Sequence, residues 1–504
     1  MSEKSESRGK GTGQTVGNGS ARGPERGREH GRAQSRTGEF VQPARRIAYE
    51  VIAAVGDSDA YANLLLPTKI KRARLSQADA ALATELTYGT LRMQGFYDRV
   101  ISLAAARPVT SIDPAILDVL RLGTHQLLAT RVATHAAVNE SVVLARQVGS
   151  RSATGFCNGV LRAISRTSAD EWREQVLAGA KNEDEAFAAE HSHPVWVVRA
   201  FRQALRAEGR ENELADLLAA DNAAPRVNMV VLPGLSGVEA DDGDAAATGP
   251  THGLGEADRY SPVGFTLAGG DPLELVTEYA GRVRVQDEGS QLAALSLSRA
   301  RPIAAGERWL DLCAGPGGKA VLLGAEARRG GAKLFANELI PARAGLVRNA
   351  LAALPEEVPV WELDGTGVGA SHPDTFDRIL LDAPCTGLGA LRRRPEARWR
   401  KQPTDVAALS VLQSELIDSA LHALKVGGIL AYVTCSPHLG ETQGIVATAL
   451  KSWGESVRTL DTAAIVQGIA RNELDLAGDS GSVQLWPHRH GTDAMFITLL
   501  ERTA

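Results

Sequence analysis

Cysteine is scarce: Cys157, Cys313, Cys385 and Cys435 are the four in 504 residues, and no two stand at C-x-x-C spacing. A disulfide framework and a structural zinc site are therefore not expected, and no metal is called for. Aromatic residues make up only 5% of the chain. No apolar run is long enough to span a bilayer, and no signal-peptide core opens the chain, so a cytoplasmic protein without membrane contact is expected. Excess positive charge is missing too. The net charge of -5 does not advertise a nucleic-acid binder, although local basic clusters escape such an average. The length exceeds what one core holds and implies roughly two to four domains.

Residues 1–41 are Gly, Ser, Arg, Lys and Glu with almost no large apolar side chain, which is the composition of a disordered tail. Residues 42–170 read as an all-α bundle. Asp113-Pro114 is an N-cap followed by proline, and Ile116, Leu120, Gly123 and Leu127 then share a helical face. Within the bundle, Lys69-Ile70-Lys71-Arg72-Ala73-Arg74 is a compact basic run, either a solvated helix end or a phosphate-contacting patch. Residues 171–285 read as a polar linker and a small α+β adaptor. His191-Ser192-His193-Pro194 is expected as a packed turn rather than a metal site, and 237–258 as an exposed insertion. From 286 to 504 strands and helices alternate, which implies an α/β fold with a mostly parallel sheet covered on both faces. In it, the helix after Thr404 carries Leu409, Leu412 and Leu416 on one face and is expected to stop at Gly427-Gly428.

The candidate site is built on Trp309–Lys319. A short apolar strand breaks at Cys313, Ala314, Gly315, Pro316, Gly317 and Gly318, and a helix opens near Lys319. This is the first strand-to-helix turn of a doubly wound fold, where glycines admit a ligand to the backbone and the helix N-terminus offers free N–H groups. It is neither G-x-G-x-x-G nor a phosphate loop, since Pro316 divides the glycines and no G-K-[ST] follows. Glu338, ending the next strand, can accept hydrogen bonds from a ribose diol, and Asp364, ending the third, can receive an adenine amino group. Asp382-Ala383-Pro384-Cys385 and Thr434-Cys435-Ser436 end two further strands. They bring two thiols to one cleft, and a thiolate is a strong nucleophile.

In order and spacing these motifs resemble the S-adenosylmethionine-dependent RNA cytosine-5 methyltransferases of the Sun group. The helical region resembles the NusB-like domain fused to bacterial 16S ribosomal RNA methyltransferases of the Sun or Fmu type. The resemblance there is carried by Tyr88-Gly89-Thr90-Leu91-Arg92, Leu120-Arg121-Leu122-Gly123, His135–Glu140 and Gly155–Arg162. It implies that Cys313–Lys319 wraps the methionine and ribose end of S-adenosylmethionine, that Glu338 takes the ribose hydroxyls and Asp364 the adenine, and that Asp382 lies between cofactor and base. It implies Cys435 as the nucleophile on C6 of cytosine and Cys385 as the aid to its release. Departures from the group's pattern are Glu338 where Asp is commoner, Thr366 where Arg often follows Asp-Gly, and Glu441-Thr442 in place of Glu-Asn.

Arg392, Arg393, Arg394, Arg398, Arg400 and Lys401, with Trp399 available for stacking, are expected to contact RNA beside the cleft. The expected activity is methylation of cytosine C5 in 16S ribosomal RNA by a monomer. Transfer RNA as the substrate, a non-catalytic RNA-binding assembly factor, and a DNA cytosine methyltransferase with Cys385 as nucleophile are the alternatives.

Overall fold

The computed structural model describes residues 41–58, 60–235, 254–478 and 481–504. The expected tail, apart from Val41, and most of the expected 237–258 insertion lie outside the described residues. Seven helices come first: α1 (Pro43–Asp57), α2 (Ala62–Ala73), α3 (Gln77–Arg92), α4 (Gln94–Ala105), α5 (Pro114–Ala129), α6 (Thr134–Val148) and α7 (Arg151–Ile164). The Asp113 carboxylate caps α5, accepting from the Ala115 and Ile116 amides at 3.1 and 3.3 Å, with Pro114 at the first helical position. Ile116 and Leu120 of the expected α5 face are buried against Val51, Leu86, Ile101 and Leu161 in one core, which also takes in Cys157. Burial pushes the Cys157 thiol up to about 12, as befits a small packing residue.

The polar stretch expected as a linker is helical instead, over Ala169–Leu177 and Glu183–Glu190. A capping box between Ser168 and Glu171 starts the first of these helices, and Trp172 buries its ring on the bundle, which outweighs the stretch's polarity. His191–Pro194 forms a turn before the helix Val195–Ala207, with His193 Nδ1 2.7 Å from the His191 carbonyl. A small antiparallel sheet follows, built from β1 (Asn228–Val231), β2 (Gly255–Ala257), β3 (Gly264–Leu267) and β4 (Val283–Val285) in the order β2-β3-β1-β4.

The large sheet holds β5 (Arg308–Asp311), β6 (Lys333–Asn337), β7 (Val360–Trp361), β8 (Phe376–Asp382), β9 (Leu424–Thr434), β10 (Val457–Thr459), β11 (Ser482–Gln484) and β12 (Phe496–Arg502). The strand order is β10-β12-β9-β8-β5-β6-β7, with β11 paired to β12. The five strands from β9 to β7 are parallel, and β12 joins β9 antiparallel. From β5 the chain builds outward through β6 to β7 on one side, then returns to β8 and β9 on the other. The order therefore reverses between β5 and β8, which is where open α/β sheets bind ligands beyond their C-terminal strand ends. The helix after Thr404 runs Pro403–Ala423 and stops before the expected Gly427-Gly428, which lie inside β9. The chain is already extended at Leu424, which pairs with Phe376. The glycines absorb the register shift that follows, Gly427 at φ +77°.

Candidate active site

The Gly turn leaves β5 after Asp311, and the helix Gly318–Arg329 opens behind Gly317, whose φ of +108° is glycine territory. Gly315 is dictated by a neighbour: a Cβ there would stand 2.1 Å from Glu338 Oε2. Glu338 follows β6 and is fixed by acceptor bonds from the Gly315 amide and the Ile340 amide, both 3.1 Å. Arg343 stands 3.4 Å from the same carboxylate and donates to the Gly315 carbonyl at 2.8 Å. Asp364 lies on the surface beyond β7 and accepts from the Thr366 hydroxyl at 2.8 Å and amide at 3.0 Å, which holds its carboxyl below the usual range.

The ends of β5 and β8 put two carboxyl groups side by side. Asp382 accepts from Lys319 Nζ at 2.8 Å. Burial works against the Lys319 charge, but the pull of Asp382 outweighs it and the ammonium sits above its ordinary value. Asp311 is fully buried, and neither of its carboxyl oxygens has a well-formed hydrogen bond. Burial, reinforced by Asp382, pushes that carboxyl up to about 8. Cys313, inside the turn, is held as a thiol by burial and by the same carboxylates.

Cys385 and Cys435 follow adjacent parallel strands, β8 and β9, and their sulfurs are 3.4 Å apart. The hydrogen bond between them splits their acidities. Cys435 is held below the ordinary thiol value, first by the Cys385 S–H and then by Lys319 and Arg394, against burial and Asp382. Cys385 is pushed well above it by that same bond and by burial. Of the two, Cys435 is therefore the one whose environment favours the thiolate, and Cys385 the one whose environment favours the thiol.

The family description 16S rRNA methyltransferase RsmB/F matches residues 302–501, and the NusB family matches residues 42–166. The Mycobacterium tuberculosis protein MT1451 is 46% identical over 92% of this chain and 97% of its own length. Ribosomal RNA small subunit methyltransferase B of Pseudomonas putida is 32% identical, covering 88% of this chain and 93% of itself. The chain belongs to the RsmB/F methyltransferase family. The crystal structure of PH0851 shares the fold, with a TM-score of 0.72 at 21% identity over 92% of this chain and 100% of that one.

In this RsmB/F chain, the arginine-rich stretch expected to face RNA is mostly turned inward, which corrects that expectation. Arg392 and Arg393 form ion pairs of 2.6–3.0 Å with Asp287 and Asp493, and Arg392 is only 6% exposed. Arg398 is fully buried and donates to the carbonyls of Arg92 and Ser192 and to Asn222 Oδ1 at 2.9–3.2 Å. Arg400 donates to the Val55 and Ala60 carbonyls at 2.8 and 2.7 Å. The Trp399 ring packs on Gly95, where a Cβ would stand 2.4 Å away. Arg398, Trp399 and Arg400 fasten the loop after Cys385 to the helical bundle, whereas Arg392 and Arg393 tie it to Asp287 and Asp493. Lys401 is half-buried, and Arg394 alone of the cluster is exposed.

Glu441 was given no role by the sequence beyond its place in the motif. It is fully buried and accepts from the Thr386 amide at 2.7 Å, the Thr386 hydroxyl at 2.5 Å and the Ser436 hydroxyl at 2.6 Å. Thr386 follows Cys385 and Ser436 follows Cys435, so one carboxylate ties both cysteine loops together. The sequence signal was only a Glu six residues after Cys435, and its three-dimensional partners give it meaning.

Proposed function

We propose that this chain transfers a methyl group from S-adenosylmethionine to C5 of a cytosine in 16S ribosomal RNA, through a transient covalent bond between Cys435 and C6. The carrying observation is the pair of sulfurs 3.4 Å apart after adjacent parallel strands, and surroundings that lower the Cys435 thiol below its ordinary value support the assignment. The small-subunit names of relatives such as the Pseudomonas putida protein support ribosomal over transfer RNA. We place the action in the cytoplasm, by a monomer, with no metal.

The cleft suits the cofactor. Gly315 keeps the backbone bare beside Glu338, and acceptors stand at Glu338 and Asp364 for hydroxyl and amino donors. Cys313, Ala314, Gly315, Pro316, Gly317, Gly318 and Lys319 would hold its methionine and ribose end, Glu338 the ribose hydroxyls and Asp364 the adenine. When bound, S-adenosylmethionine supplies an electrophilic methyl on a sulfonium. The protein's part is to make C5 nucleophilic. The Cys435 thiolate adds to C6, forming an S–C6 bond and shifting the C5=C6 electron pair toward C5. Loss of the C5 proton later restores that double bond and expels Cys435 as thiolate. Cys385, beside it, assists this release as a base: its own S–H proton first passes to solvent, and its thiolate then takes the C5 proton. Asp382, which accepts from Lys319, lies between cofactor and base in this reading. Covalent addition divides one hard step into two easier ones, and the base must be unpaired or extruded for both faces to be reached.

The test is covalent trapping on small-subunit ribosomal RNA with S-adenosylmethionine. Cys385→Ala should accumulate a denaturation-resistant protein–RNA adduct, and Cys435→Ala should form none. An adduct that depends on Cys385 instead would reverse the two roles.

A further inference from the structure

Two basic features have no substrate role in the chemistry above: the run Lys69–Arg74 and the exposed Arg394. The fold joins them. Tyr61 precedes α2 and is 44% exposed. The Arg394 and Arg400 guanidinium carbons lie 5.5 and 5.3 Å from its ring centroid. The Ala62 amide donates to Glu396 Oε1 at 3.3 Å, so the start of α2 rests on the loop that follows Cys385. That loop is rooted at the nucleophile, because the Gly389 amide donates to the Cys435 carbonyl at 2.9 Å and the Arg394 amide to Ala390 one turn on. Arg394 also helps to favour the Cys435 thiolate, which places its charge near the reacting sulfur. No ion pair to Arg394 is formed among the described residues.

From Tyr61, the exposed Leu64, Thr68, Lys71 and Arg72 follow one another in a stripe along one side of α2, with Arg74 just past the helix end. Lys71, Arg72 and Arg74 form no ion pair among the described residues. Twelve helical residues span about 18 Å at about 1.5 Å each. The stripe therefore starts at an aromatic–guanidinium pair beside the cleft and ends in three cations that have no ion pair among the described residues. A solvated helix end accounts for the cations but not for the exposed ring held between two arginines at the catalytic loop.

We propose that this stripe is the track for the single-stranded RNA flanking the target cytosine. The Tyr61–Arg394 pair is the platform on which a neighbouring base stacks, and Lys71, Arg72 and Arg74 hold backbone phosphates further along. Aromatic rings and guanidinium planes take any base by stacking, and a basic row tracks the backbone. The helical bundle thus contributes directly to the substrate site. The inference rests on the proposed RNA methyltransferase activity.

The test uses the full chain and a small-subunit ribosomal RNA fragment. It compares wild type, Tyr61→Ala, Tyr61→Phe and the double variant Lys71→Glu/Arg72→Glu. RNA binding is measured by anisotropy across a salt series, alongside S-adenosylmethionine binding and methyl transfer. Stacking measured by alanine substitution predicts that Tyr61→Ala weakens RNA binding about 5- to 100-fold, with Tyr61→Phe near wild type and cofactor binding unchanged. The double variant should lower the salt slope by at least about 1.4, from two phosphate contacts on a single strand. Wild-type RNA binding by Tyr61→Ala, an unchanged slope, or an equal loss of cofactor binding each overturns the track. If methyl transfer to C5 is absent while RNA binding still depends on Tyr61, the activity assignment fails and the track stands. If transfer and the Cys435 adduct persist without any dependence on Tyr61, the reverse holds.

Discussion

Replacing Glu441 should part the two cysteine loops. Its carboxylate receives three strong donors, the Thr386 amide, the Thr386 hydroxyl and the Ser436 hydroxyl, all within 2.7 Å. In Glu441→Ala the two hydroxyls can turn to each other, since their oxygens are already 3.1 Å apart. The Thr386 amide is fixed by the backbone and cannot turn. An orphaned buried donor costs about 1–3 kcal/mol, and hydrogen bonds to a charged group are worth about 1.5–3 kcal/mol each. Part of the hydroxyl loss is recovered, so the alanine variant should be destabilised by roughly 3–5 kcal/mol, a large fraction of an ordinary folding free energy. Glu441→Gln keeps one acceptor oxygen but turns an N–H₂ donor toward donors, and should cost about 1–3 kcal/mol. The assay is urea denaturation read alongside adduct formation. Both variants should lose stability in that order and form the Cys435 adduct more slowly, while cofactor affinity holds. A glutamine variant equal to wild type in stability and adduct rate would refute the reasoning, because the cysteine loops would then keep their spacing without the carboxylate.

Three further outcomes follow from the same geometry. Site-resolved alkylation of Cys435 should titrate below the ordinary thiol value, and Cys385→Ala should move its midpoint upward by removing the S–H donor; an unmoved midpoint counts against the assigned hydrogen bond. Asp311 keeps its proton in the fold up to about pH 8, whereas the unfolded chain loses it near the usual value of about 4. The native state thus binds more protons across that window, and stability falls as pH rises through it. Asp311→Asn should flatten the dependence of the urea midpoint between pH 5 and 8, and an unchanged slope would contradict this. Arg393→Glu places a carboxylate against Asp287 and Asp493 and should cost about 3–5 kcal/mol in unfolding experiments. Arg394→Glu, at an exposed site, should stay within about 0.5 kcal/mol of wild type. Equal effects of the two would refute the division drawn between them.

The strand-ending motifs were legible in the sequence because each combines a local pattern with a position in an alternating fold. Trp309–Lys319, Glu338, Asp382–Cys385 and Thr434–Ser436 all needed only the strand before them to be placed. The arginine stretch was not legible in this way. In sequence, a solvated basic run and one that ties a core together look alike, and the deciding partners of Arg392 and Arg393 are Asp287 and Asp493, about a hundred residues away on either side. Gly427-Gly428 misled for a related reason: they resemble a helix stop, but pairing of Leu424 with Phe376 had already extended the chain. The helix at Ala169 was hidden by its polar composition, although Ser168 and Glu171 carried the capping signature in plain view.

The anchors of Arg398 bear on how this protein is made. Arg92, Ser192 and Asn222 all lie earlier in the chain, and so do Val55 and Ala60, which hold Arg400. On the ribosome, N-terminal parts fold first. The helices are therefore finished by the time the catalytic loop emerges, and that loop closes on a surface already built. Seating of Arg398 and Arg400 thus depends on the first half of the chain being folded, and the arginine loop is the last part of this contact to be completed.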